Sequence, residues 1–412
     1  MGKFQKKKKN QAKRNALNSI TKQDKGGDMS TEINSLRKEI NKLLDDEEIY
    51  WRQRAKAHLL KEGDKNTKFF HAQASERRKQ NTILGIWDEQ GRWCDEKESI
   101  AQVAIAYFEN IYTTDNPTRI EEVTAAIPSR VTNEMNANLT WDFTKEEVSI
   151  ALKQSHPTKA LGPDDMSAIF YQKYWNIVGC SITNVMLNVL NNNLSMAELN
   201  KTKIALIPKT NNPKRMFEFR PISLCNLVFK LISKTLASRL KTFLPHIIKE
   251  NQSAFTSDRL ITNNVLMAFE LMHFLNHKNE GNESFMAAKL DMGKAFDRVE
   301  WCFIQRVMER MGFNTRWVNW VMQCITIVSY SVLINGVAWG NITPTKGLRQ
   351  TPSPQASSFF VLRASLLSYM KLHETNNGWA FQFVEAVQKS PTSSLRMIAL
   401  SLARKMLKRV KN

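Results

Sequence analysis

Large apolar side chains are almost absent from residues 1–29, where Lys, Asn and Gln dominate, and the stretch is expected to be a disordered basic tail. From Ser30 the pattern changes. Ile33, Leu36, Ile40 and Leu43 recur at three- and four-residue intervals, one apolar stripe on a helix running towards Trp51, too short for a coiled coil. Farther along, residues 204–207 read as a brief strand ended by Pro208, and residues 224–240 carry helical apolar spacing. Residues 285–290 form a strand that delivers Asp291 at its end. Val299, Phe303, Val307, Met308 and Met311 mark one buried helical face, and residues 331–334 and 337–339 flank Asn335-Gly336, the signal for a tight hairpin. No internal repeat is visible. Strands and helices in this irregular order predict an α+β fold rather than a doubly wound sheet.

The 412 residues, 42% hydrophobic and 24% charged, suffice for one large core or two to three ordinary domains. No apolar run approaches the roughly 18 residues of a membrane span, and no signal-peptide core follows the first lysines. Lys6 stands where an acylation signal needs Ser or Thr. Cys94, Cys180, Cys225, Cys302 and Cys324 are too scattered for a zinc knuckle or a disulfide framework. The expected setting is a reducing one, nuclear or cytoplasmic, with no membrane and no evident protein partner.

Charge narrows the partner. The formal net charge is +20, and residues 1–80 hold 21 Lys/Arg against 11 Asp/Glu, while residues 351–412 hold 9 against 2. Such an excess favours a polyanion, most often nucleic acid; the bland alternative for the run Lys6 to Lys9 is a solvated segment. Between Trp51 and Lys79 the cations Arg52, Arg54, Lys56, Lys61, Lys65, Lys68, Arg77, Arg78 and Lys79 interleave with Trp51, Phe69, Phe70 and His71. Cations meet phosphates and rings stack on bases, although an ordinary amphipathic helix has a similar composition.

The sharpest chemical feature is Lys289-Leu290-Asp291-Met292-Gly293-Lys294-Ala295-Phe296-Asp297, a strand running into a carboxylate and then a helix. A carboxylate on a rigid strand end suits Mg²⁺; the alternative is an Asp that caps the next helix.

Further blocks carry a resemblance. Lys159-Ala160-Leu161-Gly162-Pro163-Asp164, Phe170-Tyr171-Gln172-Lys173-Tyr174-Trp175, Ile207-Pro208-Lys209, Phe219-Arg220-Pro221-Ile222-Ser223-Leu224-Cys225-Asn226, Asn251-Gln252-Ser253-Ala254-Phe255, the Asp291 strand and Lys346-Gly347-Leu348-Arg349-Gln350 follow one another in order. In that order they resemble the LINE-type (non-long-terminal-repeat) retrotransposon reverse transcriptases, over roughly residues 32–350, and the stretch from Trp51 to His71 is similar to the linker before that domain in plant members. The resemblance implies right-hand polymerase fingers over residues 81–280 and a partial palm over 281–350, preceded by a basic helical linker over 30–80. It implies an RNA-directed DNA polymerase reaction with RNA template, DNA primer and two Mg²⁺ ions. Asp291 would be the first metal ligand and catalytic carboxylate. Phe296 would be the steric gate against the sugar 2′-hydroxyl, Lys209 and Arg220 would clamp the incoming phosphates, and Gln350 would lie near template and nucleotide. Read without the family, Phe296 is plain core and Lys209 a surface lysine after a turn.

The sequence also departs from the family. Asp165 and Asp258 stand where the family has Gly, so both turns are expected to be strained or rebuilt, and Asn263 replaces an Asp. After Gln350 the family's Gly-Asp-Pro-Leu-Ser-Pro gives way to Thr351-Pro352-Ser353-Pro354-Gln355, and no Ala-Asp-Asp block follows. Back-translation with a one-base shift turns residues 351–355 into Asp-Pro-Leu-Ser-Pro and residues 394–398 into a stretch containing Phe-Ala-Asp-Asp. The expectation is a frame change near Thr351, an irregular tail over 351–412, no thumb or endonuclease domain, and a half-built metal site unable to polymerise. The chain would then be a non-catalytic nucleic-acid-binding remnant or a pseudogene product without function.

Overall fold

The computed structural model describes residues 3–23, 29–55, 67–125, 127–157, 160–248, 260–277, 284–288, 294, 296–349, 372–375, 378–381 and 401–405. Two compact units divide the chain, Met1–Thr82 and Ile83–Asn412.

The first unit holds helices α1 (Lys3–Gln23), α2 (Ser30–Ala55) and α3 (Thr67–Gln80). Helix α1 corrects the expectation of disorder. Its sequence has neither Gly nor Pro and is rich in Lys, Gln, Ala and Arg, all good helix formers. A half-buried row, Lys13, Ala16, Leu17 and Ile20, gives it a packing face, and Lys13 pairs with Glu39 of α2. On α2 the predicted stripe holds, with Ile33 and Ile40 buried and Leu36 and Leu43 half-buried. Trp51 packs on Phe70 of α3, its ring 4.2 Å from that of His71.

The second unit begins with a minimal hairpin, β1 (Ile86–Trp87) and β2 (Trp93–Cys94), followed by α4 (Lys97–Tyr112), α5 (Ile120–Thr124), α6 (Asn133–Thr140), α7 (Lys145–Lys153), α8 (Ala168–Lys173) and α9 (Trp175–Asn191). Strands β3 (Lys201–Pro208) and β4 (Phe219–Cys225) come next, then α10 (Leu227–Ile247), α11 (Ile261–His277) and β5 (Ser284–Ala288). Helices α12 (Trp301–Arg310) and α13 (Thr315–Thr326) lead into β6 (Ser329–Ile334) and β7 (Val337–Ile342). The mixture is α+β, as the order of elements predicted.

One four-stranded sheet, ordered β4-β3-β6-β7, organises the unit; β3 pairs antiparallel with β4 and parallel with β6, and β6 pairs antiparallel with β7. Alternation fixes its inner face: Thr202, Ile204 and Leu206 of β3 and Tyr330, Val332 and Ile334 of β6 are buried at every second position. Against this face lies α4, through Ile100, Ala104, Phe108 and Tyr112. A larger core joins the helices, with Leu190 from α9, Leu231, Leu236 and Leu240 from α10, and Trp317 and Trp320 from α13. Each such Leu, fully buried, contributes about 1.5–3 kcal/mol. Predicted face residues Val307, Met308 and Met311 enter this core, with Val299 and Phe303 packed partly on it.

The Asn335-Gly336 hairpin forms as predicted. Both residues have positive φ (50° and 90°), the requirement of a type I′ turn, and the Asn335 amide exchanges two 2.8 Å hydrogen bonds with the Ile83 backbone. Leu224 and Cys225, expected to open a helix, instead end β4, because their backbone pairs with Lys203 and Thr202 of β3; the helix starts after Asn226. In the tail, expected to be irregular, the described residues form β8 (Leu372–Thr375), β9 (Gly378–Phe381) and β10 (Ser401–Lys405), and β10 supplies an antiparallel partner to β5. Among the described residues no helix is long and apolar enough to cross a membrane.

Candidate functional site

Strand β3 carries the chain to Lys209, and β4 brings Arg220 back opposite Ile207, so both cations sit at one end of the same strand pair. The Lys209 N–H donates to the Glu218 carbonyl at 2.8 Å, while the Glu218 carboxylate accepts from the Lys214 and Arg215 N–H groups and fixes the intervening loop. Lys209 Nζ donates to the Phe217 carbonyl at 2.8 Å. Burial and the nearby Arg220 charge push the Lys209 amine below its ordinary pKa, and Asp297 opposes that shift.

Asp297 belongs to a turn in which its N–H donates to the Lys294 carbonyl at 3.0 Å. Lys294 has φ 52°, a left-handed conformation unusual for a long side chain. Its ammonium donates to the hydroxyl of Tyr107 on α4 and stands 4.2 Å from that ring's centroid. Burial lowers the Lys294 pKa to about 8, helped by Arg298 and Lys209 and opposed by Asp297. Tyr107 is pushed well above the ordinary phenol value by burial and then by Asp297. The buried Asp297 carboxylate therefore acts on cations from two separate motifs, β3–β4 and the turn after β5.

The segment 346–349 secures that turn. Leu348 N–H donates to Phe296 O at 2.7 Å, Gly347 N–H to Val299 O at 2.8 Å, and Trp301 Nε1 to Gly347 O at 2.7 Å. Gly347 has φ 91°, with the Tyr112 ring beside it. Lys346 is buried with Glu300, 3.7 Å from Nζ to Oε1, and also pairs with Asp115; Thr114 Oγ1 donates to Glu300 at 2.6 Å. Arg349 ties β3, α10 and α13 together: it donates to Thr202 Oγ1 at 3.1 Å and to Asn200 and Cys324 oxygens, and lies 4.1 Å from the centroid of the Phe229 ring. Neither Arg349 nor Tyr107 was singled out by motif reading. Arg349 lay within a quoted block without a role of its own, and nothing local in α4 marks Tyr107.

Two further blocks, 159–164 and 219–226, also meet. A Cβ on Gly162 would lie 2.3 Å from the Cys225 carbonyl, the Asn226 amide accepts from Asp164 N–H at 3.1 Å, and Lys230 Nζ reaches the Ala160 carbonyl at 2.9 Å. Asp165 takes the left-handed conformation that suits a Gly, φ 52°, and the Asp164 side chain accepts from Met166 N–H to close the turn. Asp258 and Asn263 side chains, like Asp291 and Gln350, lie outside the described residues. Phe296 is buried, 8% exposed, and Lys209 follows β3 while Arg220 pairs opposite Ile207 on β4. In the first unit Lys68, Arg77, Arg78 and Lys79 are exposed on α3; Arg52 and Arg54 fall on α2 with side chains outside the described set, and Lys56 and Lys65 lie outside it altogether. The Arg77, Arg78 and Lys79 cluster ends α3, where cations complement the helix dipole.

Among the described residues no group of three or more His, Cys, Asp or Glu is placed to hold a metal ion. Asp297 is the described carboxylate at the cluster, and it faces cations rather than a second carboxylate.

Residues 207–365 match the reverse transcriptase (RNA-dependent DNA polymerase) family. Over 299 residues, 72% of this chain, the sequence is 25% identical to the transposon TX1 uncharacterized 149 kDa protein of Xenopus laevis. Over 150 residues, 36% of this chain, it is 27% identical to the retrovirus-related Pol polyprotein from type-2 retrotransposable element R2DM of Drosophila melanogaster. The alignments span 23% and 14% of those two proteins.

Proposed function

The chain carries a LINE-type reverse transcriptase domain, and from that premise we propose that it is a catalytically incomplete remnant of an RNA-directed DNA polymerase that keeps nucleotide and nucleic-acid contacts. In this reading residues 81–280 are the fingers and 281–350 a partial palm, Lys209 and Arg220 clamp the incoming phosphates, Phe296 is the sugar gate and Gln350 lies near the template. The plant-type linker, through Arg52, Arg54, Lys56, Lys65, Lys68, Arg77, Arg78 and Lys79, holds RNA template or DNA primer. The observation that carries the reading is the pairing of Lys209 and Arg220 at one end of β3–β4, with the charge of Asp297, from the turn it closes with Lys294, acting on Lys209. Cations gathered at one buried carboxylate are suited to a polyphosphate.

Asp291 would hold Mg²⁺, which when bound supplies an activated hydroxyl nucleophile and a stabilised leaving pyrophosphate. One carboxylate cannot hold two such ions, and no Ala-Asp-Asp follows Gln350. The family match reaches residue 365, past Thr351; a frame change there predicts Asp-Pro-Leu-Ser-Pro in the shifted frame, and the coding DNA around Gln350 tests it. Primer extension on an RNA template with Mg²⁺ tests the inactivity: no incorporation is expected, and incorporation abolished by Asp291→Ala would overturn it. RNA affinity that falls with salt and is lost on removing residues 1–80 supports a binding remnant, whereas a chain that never folds supports a pseudogene product.

A further inference from the structure

The last turn of α11 carries His273 and His277, four residues apart and both exposed. Side chains at that spacing are neighbours on one helix face, so two imidazoles can reach a single ion without any movement of the backbone. The rings are not splayed into solvent. Their centroids stand 4.0 Å apart and their planes differ by only 24°. Holding two exposed rings face to face costs side-chain freedom. Two nitrogens bound to one Zn²⁺ at about 2.0–2.1 Å in tetrahedral geometry stand about 3.3 Å apart, a spacing that rings stacked in this way can meet.

A hydrogen bond sets which nitrogen faces outward. His277 Nδ1 lies 2.8 Å from the His273 carbonyl oxygen. A carbonyl offers no proton, so Nδ1 carries it, and the neutral ring then presents Nε2 as a bare lone pair. Metal-bound histidines are usually oriented in this manner, by an acceptor such as a backbone carbonyl on the other nitrogen. Two further features favour a cation. His277 is the last residue of α11, where the final carbonyls place the negative end of the helix dipole. Glu270, exposed and three residues before His273, lies on the same face, in the Glu-x-x-His spacing.

We propose that His273 and His277 chelate a borderline first-row dication of the Zn²⁺ or Cu²⁺ class, through one imidazole nitrogen each, with water filling the other positions. Imidazole selects such ions, whereas Mg²⁺ prefers carboxylate and water oxygens, so this site differs in chemistry from the one ascribed to Asp291. Bound there, the ion clips the last turn of α11, from which the chain runs on to β5.

Carbethoxylation of the metal-stripped full chain, read residue by residue by mass spectrometry, tests the site, because the reagent needs the imidazole lone pair that a metal occupies. Zn²⁺ is expected to shield His273 and His277 together, at one midpoint, while Mg²⁺ at the same concentration shields neither. His156 and His246 are expected to react at unchanged rates. In His277→Gln the midpoint for shielding His273 should rise by on the order of a hundredfold, the loss of the second ligand's effective concentration. His273→Gln should do the same to His277. Both side chains are exposed, so neither substitution disturbs a core. Absent shielding by Zn²⁺, shielding of one ring alone, equal shielding by Mg²⁺, or an unchanged midpoint for His273 in His277→Gln each overturns the inference.

Discussion

Gly347 lies so close to Asp297 that a Cβ built on it would stand 2.6 Å from the Asp297 carbonyl oxygen and 2.9 Å from Tyr112 Cδ1. Both neighbours are held, one by its turn and one by the α4 core, and the φ of 91° disfavours any side chain. Gly347→Ala is expected to lower the unfolding free energy by about 2–3 kcal/mol. Urea unfolding of the full chain checks it; a loss below about 0.5 kcal/mol would mean the turn moves freely.

Asp165 offers the opposite sign. It occupies φ 52° in a turn already closed by Asp165 N–H to Gly162 O at 3.1 Å. Relief of the left-handed cost outweighs the extra chain entropy of glycine, so Asp165→Gly should raise stability by about 0.5 kcal/mol. An unchanged or lower denaturation midpoint would show that Asp165 is stabilised there by contacts a Gly cannot make.

These two glycine-type positions show what the sequence made legible. The 33-36-40-43 stripe and the Asn335-Gly336 hairpin are local patterns, and each formed as read. The partnerships between blocks were not legible, because they are set by packing between residues far apart. Arg349 reaches Thr202 and Cys324, and Tyr107 reaches Lys294 across 187 positions. Helix α1 was missed for another reason: its stripe of Ala16, Leu17 and Ile20 is short and drowned by lysines. Leu224 and Cys225 fit a helical period, but ladder pairing with β3 overrode it.

The buried pair of Lys346 and Glu300 yields a coupling prediction. Each side chain is only 5% exposed, and Glu300 also accepts from Thr114 and the Asp115 N–H. Lys346→Met strands the carboxylate and should cost about 3–5 kcal/mol. Adding Glu300→Gln should return part of that loss, so the double variant is more stable than the sum of the singles. A double-mutant cycle by urea unfolding checks this; strict additivity would mean the two groups do not interact.

Lys294 predicts a rise in stability with alkalinity. Its folded pKa is about 8 against an ordinary 10.5, so between those values the unfolded chain binds more protons and stability increases with pH. Allowing for the part of the side chain open to solvent, the gain is on the order of 1–2 kcal/mol. Above about pH 10 the buried phenols reverse the trend: Tyr107, Tyr112 and Tyr330 are all raised, so the unfolded chain ionises them first and stability falls. Subtracting the profile of Lys294→Met removes the contributions of Tyr112 and Tyr330, which both proteins share, and below about pH 10 Tyr107 stays protonated in both. The difference curve should climb from pH 8 to about 10, and a flat difference would show that the ammonium is solvated rather than enclosed by Tyr107 and its neighbouring cations.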